Sequence, residues 1–352
     1  MFKTEISPDR SFGLDVFRVL AISLVFYSHA IKGTVCGLFI GNIGVELFFV
    51  LSGFLVARPL FSKPVNYTFS FVWKFMFKRW LRTIPLYYFL ITLKIILTHY
   101  TFKDSWRFYF FTQTYGSDIF LYAVSWSLSV EEWFYLLLPL VALLVFKTSQ
   151  NKGRILFSLL LIIVVEIIWR FTSVVNNQTS WQILSGSVHL RLDSLVIGVL
   201  LAFLKYGHIG VYNFLKRKEL FLISLLFLFA YLFLFRLINQ NNWLNTTLFM
   251  RIFGFTTFSL ICSMVLPHVE SSRILELFSK NNVLKKVFLW GSTLTYSFYL
   301  IHFEVIEVVN RFHTSDCKRF FISLFVSLFL SFSLYQVVER PFLILKNKVK
   351  IR

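Results

Sequence analysis

Residues 18–29 read "RVLAISLVFYSH", an apolar run with a guanidinium at one end and an imidazole at the other. Residues 9–17, "DRSFGLDVF", lead into it. A membrane-spanning helix needs about 20 mostly apolar residues, and this run with its flanks is long enough. It is an awkward membrane helix, however. A charge in the bilayer interior costs a few kcal/mol or more and ordinarily faces a cavity or a partner. The stretch that announces the fold therefore also asks what Asp15, Arg18 and His29 do there.

The composition extends that reading to the whole chain. Of 352 residues, 57% are hydrophobic, 20% aromatic and only 15% charged, and the mean hydropathy is +0.70. Soluble domains carry about 45–50% apolar residues. Similar apolar runs recur along the sequence, which predicts an all-α polytopic membrane protein. The N-terminal "MFKTEISPDRSFGLD" is mixed in charge and no small-residue cleavage site follows the first run, so that run reads as a permanent span rather than a signal peptide. Cys36, Cys262 and Cys317 are scattered, with no paired spacing, so neither a disulfide framework nor a zinc site is expected. No dinucleotide fingerprint, P-loop or HExxH motif occurs.

About ten transmembrane helices are predicted, over 14–32, 43–61, 83–98, 126–146, 155–173, 188–204, 219–237, 250–268, 287–306 and 320–339, within a single domain, 1–352. The third is short if it starts at Thr83, so its helix is expected to begin within "FMFKRWLRTIPLYY", with a kink at Pro85. Residues 104–124 read as an outer loop at the interface. Basic residues collect in cytoplasmic loops. With the N-terminus inside, 24 of the 36 Lys and Arg fall in cytoplasmic segments, six in outer segments and six within spans. This places both termini in the cytoplasm. It also makes the net charge of +19 a signature of topology rather than of a nucleic-acid partner.

The polar residues inside the spans then become informative. Arg18 and His29 are eleven positions apart, almost three turns, so they share a helix face roughly 16 Å apart along the axis. Asp15 lies one turn below Arg18, near the same stripe. By chain direction Asp15 and Arg18 are near the cytoplasm and His29 is in the outer half. A structural Asp–Arg pair with a snorkelling histidine and a functional polar line both fit. In the second span, "GNIGVELFFVLSGFLVARP", Glu46 is either a packing partner for a cation or a reactive carboxylate, and Ser52–Gly53 permit close helix approach. In "FKRWLRTIPLYY", Arg79 and Arg82 stand one turn apart at the cytoplasmic mouth, with Lys78 beside them. They suit topological anchoring and phosphate recognition equally, since each guanidinium can fork onto phosphate oxygens.

The fourth span opens "WSLSVEEWFYLLLPL". Trp126 and Trp133 fit an aromatic belt. Glu131 and Glu132 point about 100° apart, so at most one faces a cavity. Both lie at the depth of His29, where a carboxylate would orient the imidazole and raise its basicity. Arg191, in "HLRLDSLVIG", reads as a buried ion-pair member. Tyr296, Tyr299 and His302 stand in "YSFYLIHF", with His302 in the outer half like His29. Glu339–Arg340–Pro341 is expected to end the last helix, where proline stops it.

Taken in order, "LDVFRVLAISLVFYSHA", "GVELFFVLSGFL", "RWLRTIPLYY", "WSLSVEEWFYLLLPL", "YSFYLIH" and "ERP" resemble the membrane acyltransferase-3 family, the bacterial O-acyltransferases of surface glycans. The resemblance runs over residues 10–341. It implies the minimal form, without the C-terminal esterase-like domain of longer relatives. It further implies a multi-pass protein of the bacterial cytoplasmic (inner) membrane that uses acetyl-CoA or a related acyl-CoA donor bound from the cytoplasm, without a metal. The implied acceptor is a hydroxyl of a surface polysaccharide such as lipopolysaccharide O-antigen. His29 corresponds to the family's essential histidine and Arg18 to its partner. Arg79 and Arg82, with Lys78, correspond to the donor-binding group, and Glu131 to the first glutamate of its motif. Asp15, Glu46, Arg191, Tyr296 and His302 are further cavity candidates. His29 either acts as general base or itself accepts the acyl group. The competing reading is a transporter or flippase for a lipid-linked glycan, for which buried charges also suit but no inverted repeat is visible. A sensory or assembly protein without chemistry is the third.

Overall fold

The computed structural model describes residues 11–31, 35–62, 65–114, 121–146, 151–177, 179–239, 247–312 and 315–349. Among them no strand occurs. Fifteen helices are α1 (Phe12–Ala30), α2 (Val35–Phe61), α3 (Phe69–Thr98), α4 (Phe102–Tyr109), α5 (Ser125–Val141), α6 (Lys152–Asn177), α7 (Trp181–Gly186), α8 (Leu192–Gly207), α9 (Ile209–Leu215), α10 (Lys218–Asn239), α11 (Leu248–Glu270), α12 (Arg273–Lys280), α13 (Asn282–Val309), α14 (Asp316–Leu334) and α15 (Arg340–Lys348). Seven helical segments are long and apolar enough to cross a membrane: Phe12–Ala30, Ile40–Phe61, Phe69–Thr98, Ser125–Val145, Lys152–Asn176, Leu248–Glu270 and Asp316–Lys348. The other three expected spans fall on α8, α10 and α13, which do not meet both conditions among the described residues. Position 32, at the end of the first expected span, and 115–120 of the expected outer loop lie outside the described residues.

The centre of the bundle is α2. Its Val50, Phe54, Val56 and Ala57 are buried, with α8 on one side and α1 on the other. The approach to α8 is as close as backbones allow. A Cβ on Gly53 would lie 2.0 Å from the carbonyl oxygen of Leu195, and one on Gly198 2.2 Å from that of Val50. Small residues let helices in lipid pack backbone to backbone, and Gly53 does so here. The outer helices are the converse. Phe157, Leu160, Leu161 and Val164 on α6 and Phe321, Phe325 and Phe329 on α14 are exposed. An apolar outward face is what a helix bordered by lipid presents.

Local sequence sets the long helices that carry the polar residues. Thr68 caps α3 by accepting from the Phe71 amide at 3.2 Å, and Asn281 caps α13 by accepting from Val283 and Leu284 at 3.0 and 3.2 Å, the usual N-cap service of such side chains. The cap at Thr68 starts α3 well before Thr83, so its 30 residues run through Pro85 and hold Arg79 and Arg82 inside the helix rather than at its first turn.

Three expectations change. The segment after α3 is not a bare loop, since it contains the helix α4. Its α4 and the buried Phe108, Phe111, Leu121 and Tyr122 fold onto the bundle. Tyr87 donates to Phe108 O at 3.1 Å, Tyr88 to Tyr109 O at 2.6 Å, and Trp133 to Phe111 O at 3.0 Å. Trp133 and Trp126 consequently pack inward, Trp126 edge-on to Phe49 at 6.1 Å, a spacing usual for aromatic pairs. Pro341 does not stop the last helix either. A wide π-type turn, Tyr335–Glu339, intervenes, and Pro341 sits in the first turn of α15, where its missing N–H costs no hydrogen bond. The chain continues along α3 as far as Lys348.

Candidate active site

A cavity of about 340 Å³ lies between α1, α2, α3, α5, α13 and α15. Among the described residues its charged lining comprises five cations, Arg18, Arg58, Arg79, Arg82 and Lys346, and one carboxylate, Glu131. Hydroxyls of Ser52, Thr83, Ser127, Thr295, Tyr135, Tyr296 and Tyr299 complete the polar wall. Phe48, Leu51 and Leu55 add apolar surface from α2.

Arg18 and Arg79 are held by different local contacts. Arg18 is anchored at the start of α1: Asp15 lies 3.5 Å away, and Ser292 on α13 donates to Asp15 at 2.7 Å while Arg18 donates to Ser292 at 3.4 Å. The one-turn spacing of Asp15 and Arg18 thus does form a pair, clamped by a third residue. Asp15 itself lines a second cavity of about 560 Å³, which shares Arg58 with the first. Arg79 holds its guanidinium 5.5 Å from the centre of the Tyr135 ring, a cation–π distance. Tyr296 donates to the carbonyl of Thr83 at 2.5 Å, tying α13 to the RxxR stretch of α3. Lys78, the residue before Arg79, does not line the cavity.

Glu131 and Glu132 separate as their 100° offset requires. Glu131 lines the cavity and accepts from Ser52 at 2.6 Å, while Glu132 is buried outside it. Among the described residues no hydrogen bond joins Glu131 to His29, so the carboxylate expected to orient the imidazole does not touch it.

His29 is oriented by another histidine. Its Nδ1 lies 2.9 Å from Nε2 of His302, with the rings stacked at 5.1 Å and 13°. Nδ1 of His302 is 2.8 Å from Tyr299 O and 3.1 Å from Phe298 O. Neither histidine lines the cavity. Tyr299 bridges the two: it lines the cavity, and its ring lies 5.8 Å from that of His302. It donates to Val124 O at 3.1 Å and is hydrogen bonded to Ser127. Arg18 and His29 do share one face of α1, since both turn towards α13, at Ser292 and His302.

Glu46 and Arg191 belong elsewhere. They pair with each other, both buried, and Glu46 also accepts from Ser259 at 2.7 Å. The Arg191 guanidinium lies 4.0 Å from the centre of the Phe255 ring. Beside it Arg170 pairs with Asp193 and donates to Thr256 at 2.9 Å. Arg191 is indeed a buried ion-pair member with Glu46 as its partner, and the two line a separate small cavity of about 10 Å³ rather than the main one. Glu339 is likewise held in the packing, accepting from Ser297 at 2.7 Å.

The cavity residues that sequence reasoning passed over include Arg58, Lys346, Tyr135 and Ser52. Arg58 in "VARP" and Lys346 in the basic tail look like topological anchors, because positive-inside bias and ligand binding put the same residues in the same place.

Comparison with known proteins follows the same lines. The chain is 26% identical over 357 residues to the Staphylococcus aureus (strain COL) protein named "Putative O-acetyltransferase SACOL0978", covering 94% of this chain and 57% of that protein. It is 25% identical over 369 residues to "O-acetyltransferase OatA" of Staphylococcus aureus (strain NCTC 8325 / PS 47), covering 95% and 57%. The chain thus spans little more than half the length of these relatives. No solved structure matches it. The family profile described as an acyltransferase domain matches residues 11–340, nearly the whole chain. With its apolar helices, that match makes this a multi-pass membrane protein, and the chain belongs to the acyltransferase-3 family.

Proposed function

We propose that this protein is an integral-membrane O-acyltransferase that moves an acyl group, acetyl by first choice, from a cytoplasmic acyl-CoA to a hydroxyl of a surface polysaccharide sugar such as lipopolysaccharide O-antigen. The observation that carries the reading is a cavity with five cations against one carboxylate among the described residues, whose lining residue Tyr299 packs its ring 5.8 Å from that of His302 in the His29–His302 pair. In this arrangement the bundle has about ten spans in the bacterial inner membrane, with both termini cytoplasmic.

The residues present fit such a donor. A CoA thioester carries phosphates at one end and a reactive carbonyl at the other, joined by a thin arm. Arg79 and Arg82 offer planar forks to phosphate oxygens, and Arg58 and Lys346 add charge. A volume of about 340 Å³ is at the small end of ligand clefts, which suits the arm and thioester better than the whole nucleotide. The phosphates then lie at the basic end, and the second cavity that shares Arg58 gives the nucleotide room. Arg18 stands between the phosphate end and His29.

His29 is the general base. It takes the proton from the sugar hydroxyl as the oxygen attacks the thioester carbonyl, and returns that proton to the departing thiolate. Such a group contributes about 10²–10⁴-fold. Glu131, bonded to Ser52 and facing the cations, balances their mutual repulsion while the cavity is empty of donor.

The test is acetyl transfer by the purified protein in lipid, from labelled acetyl-CoA to polysaccharide. Wild type transfers label, and His29→Ala does so at a rate lower by about 100-fold or more while still retaining acetyl-CoA binding. Substantial transfer by His29→Ala overturns the role of His29, and no transfer or hydrolysis by wild type favours a glycan transporter instead.

A further inference from the structure

Two carbonyl oxygens, those of Tyr299 and Phe298, lie 2.8 and 3.1 Å from Nδ1 of His302. A carbonyl only accepts, so Nδ1 of His302 carries a proton. In a neutral imidazole the other nitrogen is then bare, and Nε2 of His302 can only accept. That nitrogen faces Nδ1 of His29 at 2.9 Å, so the proton between the rings belongs to His29. The remaining nitrogen of His29, Nε2, is left without a proton and has no hydrogen-bond partner among the described residues.

We infer that His302 is a positioning residue that fixes the tautomer of His29, so that Nε2 is the one atom of the pair able to receive a proton. The inference rests on the reading of His29 as the base. His302 itself is fully buried, and a buried imidazole is tolerated because both its nitrogens are used. Packing alone does not require a histidine here, since Phe26 and Phe298 surround the ring and a phenyl group would fill the same space. What a phenyl group lacks is the acceptor for His29.

The chemistry that follows is specific. When Nε2 of His29 takes the hydroxyl proton, its ring becomes a cation, and the bond from its Nδ1–H to His302 becomes charge-assisted and roughly twice as strong. The gain appears only as the proton moves, so it lowers the barrier rather than tightening ground-state binding. A neutral acceptor also leaves the proton free to depart. A carboxylate in that place would hold the imidazolium as an ion pair, whereas a second imidazole lets His29 return the proton to the thiolate once the carbon–sulfur bond breaks.

Two readouts on the full-length protein in lipid test this. The first is nitrogen-15 NMR of ring-labelled histidine, with the His29 signals identified by their loss in His29→Gln. Wild type is expected to show His29 protonated at Nδ1 and bare at Nε2, and His302→Phe to shift protonation towards Nε2. The second compares His302→Phe with His302→Gln, whose side-chain oxygen accepts from His29 and whose amide donates to Tyr299 O. His302→Phe should lower kcat about 100-fold with KM for acetyl-CoA unchanged, and His302→Gln should recover most of the loss. Equal losses in the two variants, or an unchanged His29 tautomer in His302→Phe, overturn the assignment. The NMR arm needs no turnover, so it decides the role of His302 even if wild type transfers no acetyl group, a result that would instead sink the reading of His29 as base.

Discussion

The hydroxyl of Ser52 donates to the carboxylate of Glu131 at 2.6 Å, which ties the only acid that lines the main cavity among the described residues to α2 and leaves it among cations. Removing its charge should therefore act on the donor rather than on the proton. Glu131→Gln, which keeps an acceptor for Ser52, is expected to change KM for acetyl-CoA while kcat stays within about tenfold. Steady-state kinetics decide this. A fall in kcat as deep as that of His29→Ala would return Glu131 to the proton relay.

Arg79 and Arg82 should behave as a donor-binding pair. Hydrogen bonds to charged groups are worth about 1.5–3 kcal/mol each, so replacing both by Ala should raise KM for acetyl-CoA by about 100-fold or more. Lysine at both positions should recover only part of that, because an ammonium lacks the planar fork. Isothermal titration of CoA against each variant gives the comparison, and unchanged affinity would reassign the pair to topology.

Lys346 reaches the same cavity from the last helix, whereas Lys348 is exposed on that helix. Lys346→Ala should weaken CoA binding several-fold and make the remaining affinity less sensitive to salt. Lys348→Ala should leave both unchanged. Equal effects from the two would show that general positive charge, not a specific contact, is at work.

The Arg170–Asp193 pair is fully buried, and breaking such a pair by removing one partner costs about 3–5 kcal/mol. Arg170→Met should lower the thermal midpoint in detergent clearly. Adding Asp193→Asn should restore much of it by removing the stranded charge. If the double variant were no more stable than Arg170→Met, the pair would not act as a unit.

How far the sequence led depends on the range of the interaction. The stretches holding Arg18, Arg79, Arg82 and Glu131 announced themselves by local spacing, and all four meet in one cavity. Apolar run length located the helices for the same reason. The bond between His29 and His302 joins positions 273 apart, and nothing in the spacing of either helix records it. The carboxylate at similar depth looked the better partner because a carboxylate is the commoner one. Glu46 and Arg191, 145 apart, were each visible as costly buried charges, yet their mutual pairing was not. Lys346 was hidden by Pro341, which reads as a stop when preceded by a continuous α-helix but as a start after a wide turn.

The close passage of α2 over α8 at Gly53 and Gly198 gives those two positions leverage out of proportion to their size. One arm of α8 begins at Asp193, beside Arg191 and Glu46, and the other ends near Lys205, which lines the second cavity. A methyl group at position 53 would have to wedge the helices apart at the point between these arms. The disturbance would then appear at both ends of the lever, in the buried ion pairs and in the second cavity, though neither end touches the substituted residue. Absence of a side chain is here a mechanical part: the fulcrum on which two distant sets of charges are kept in register.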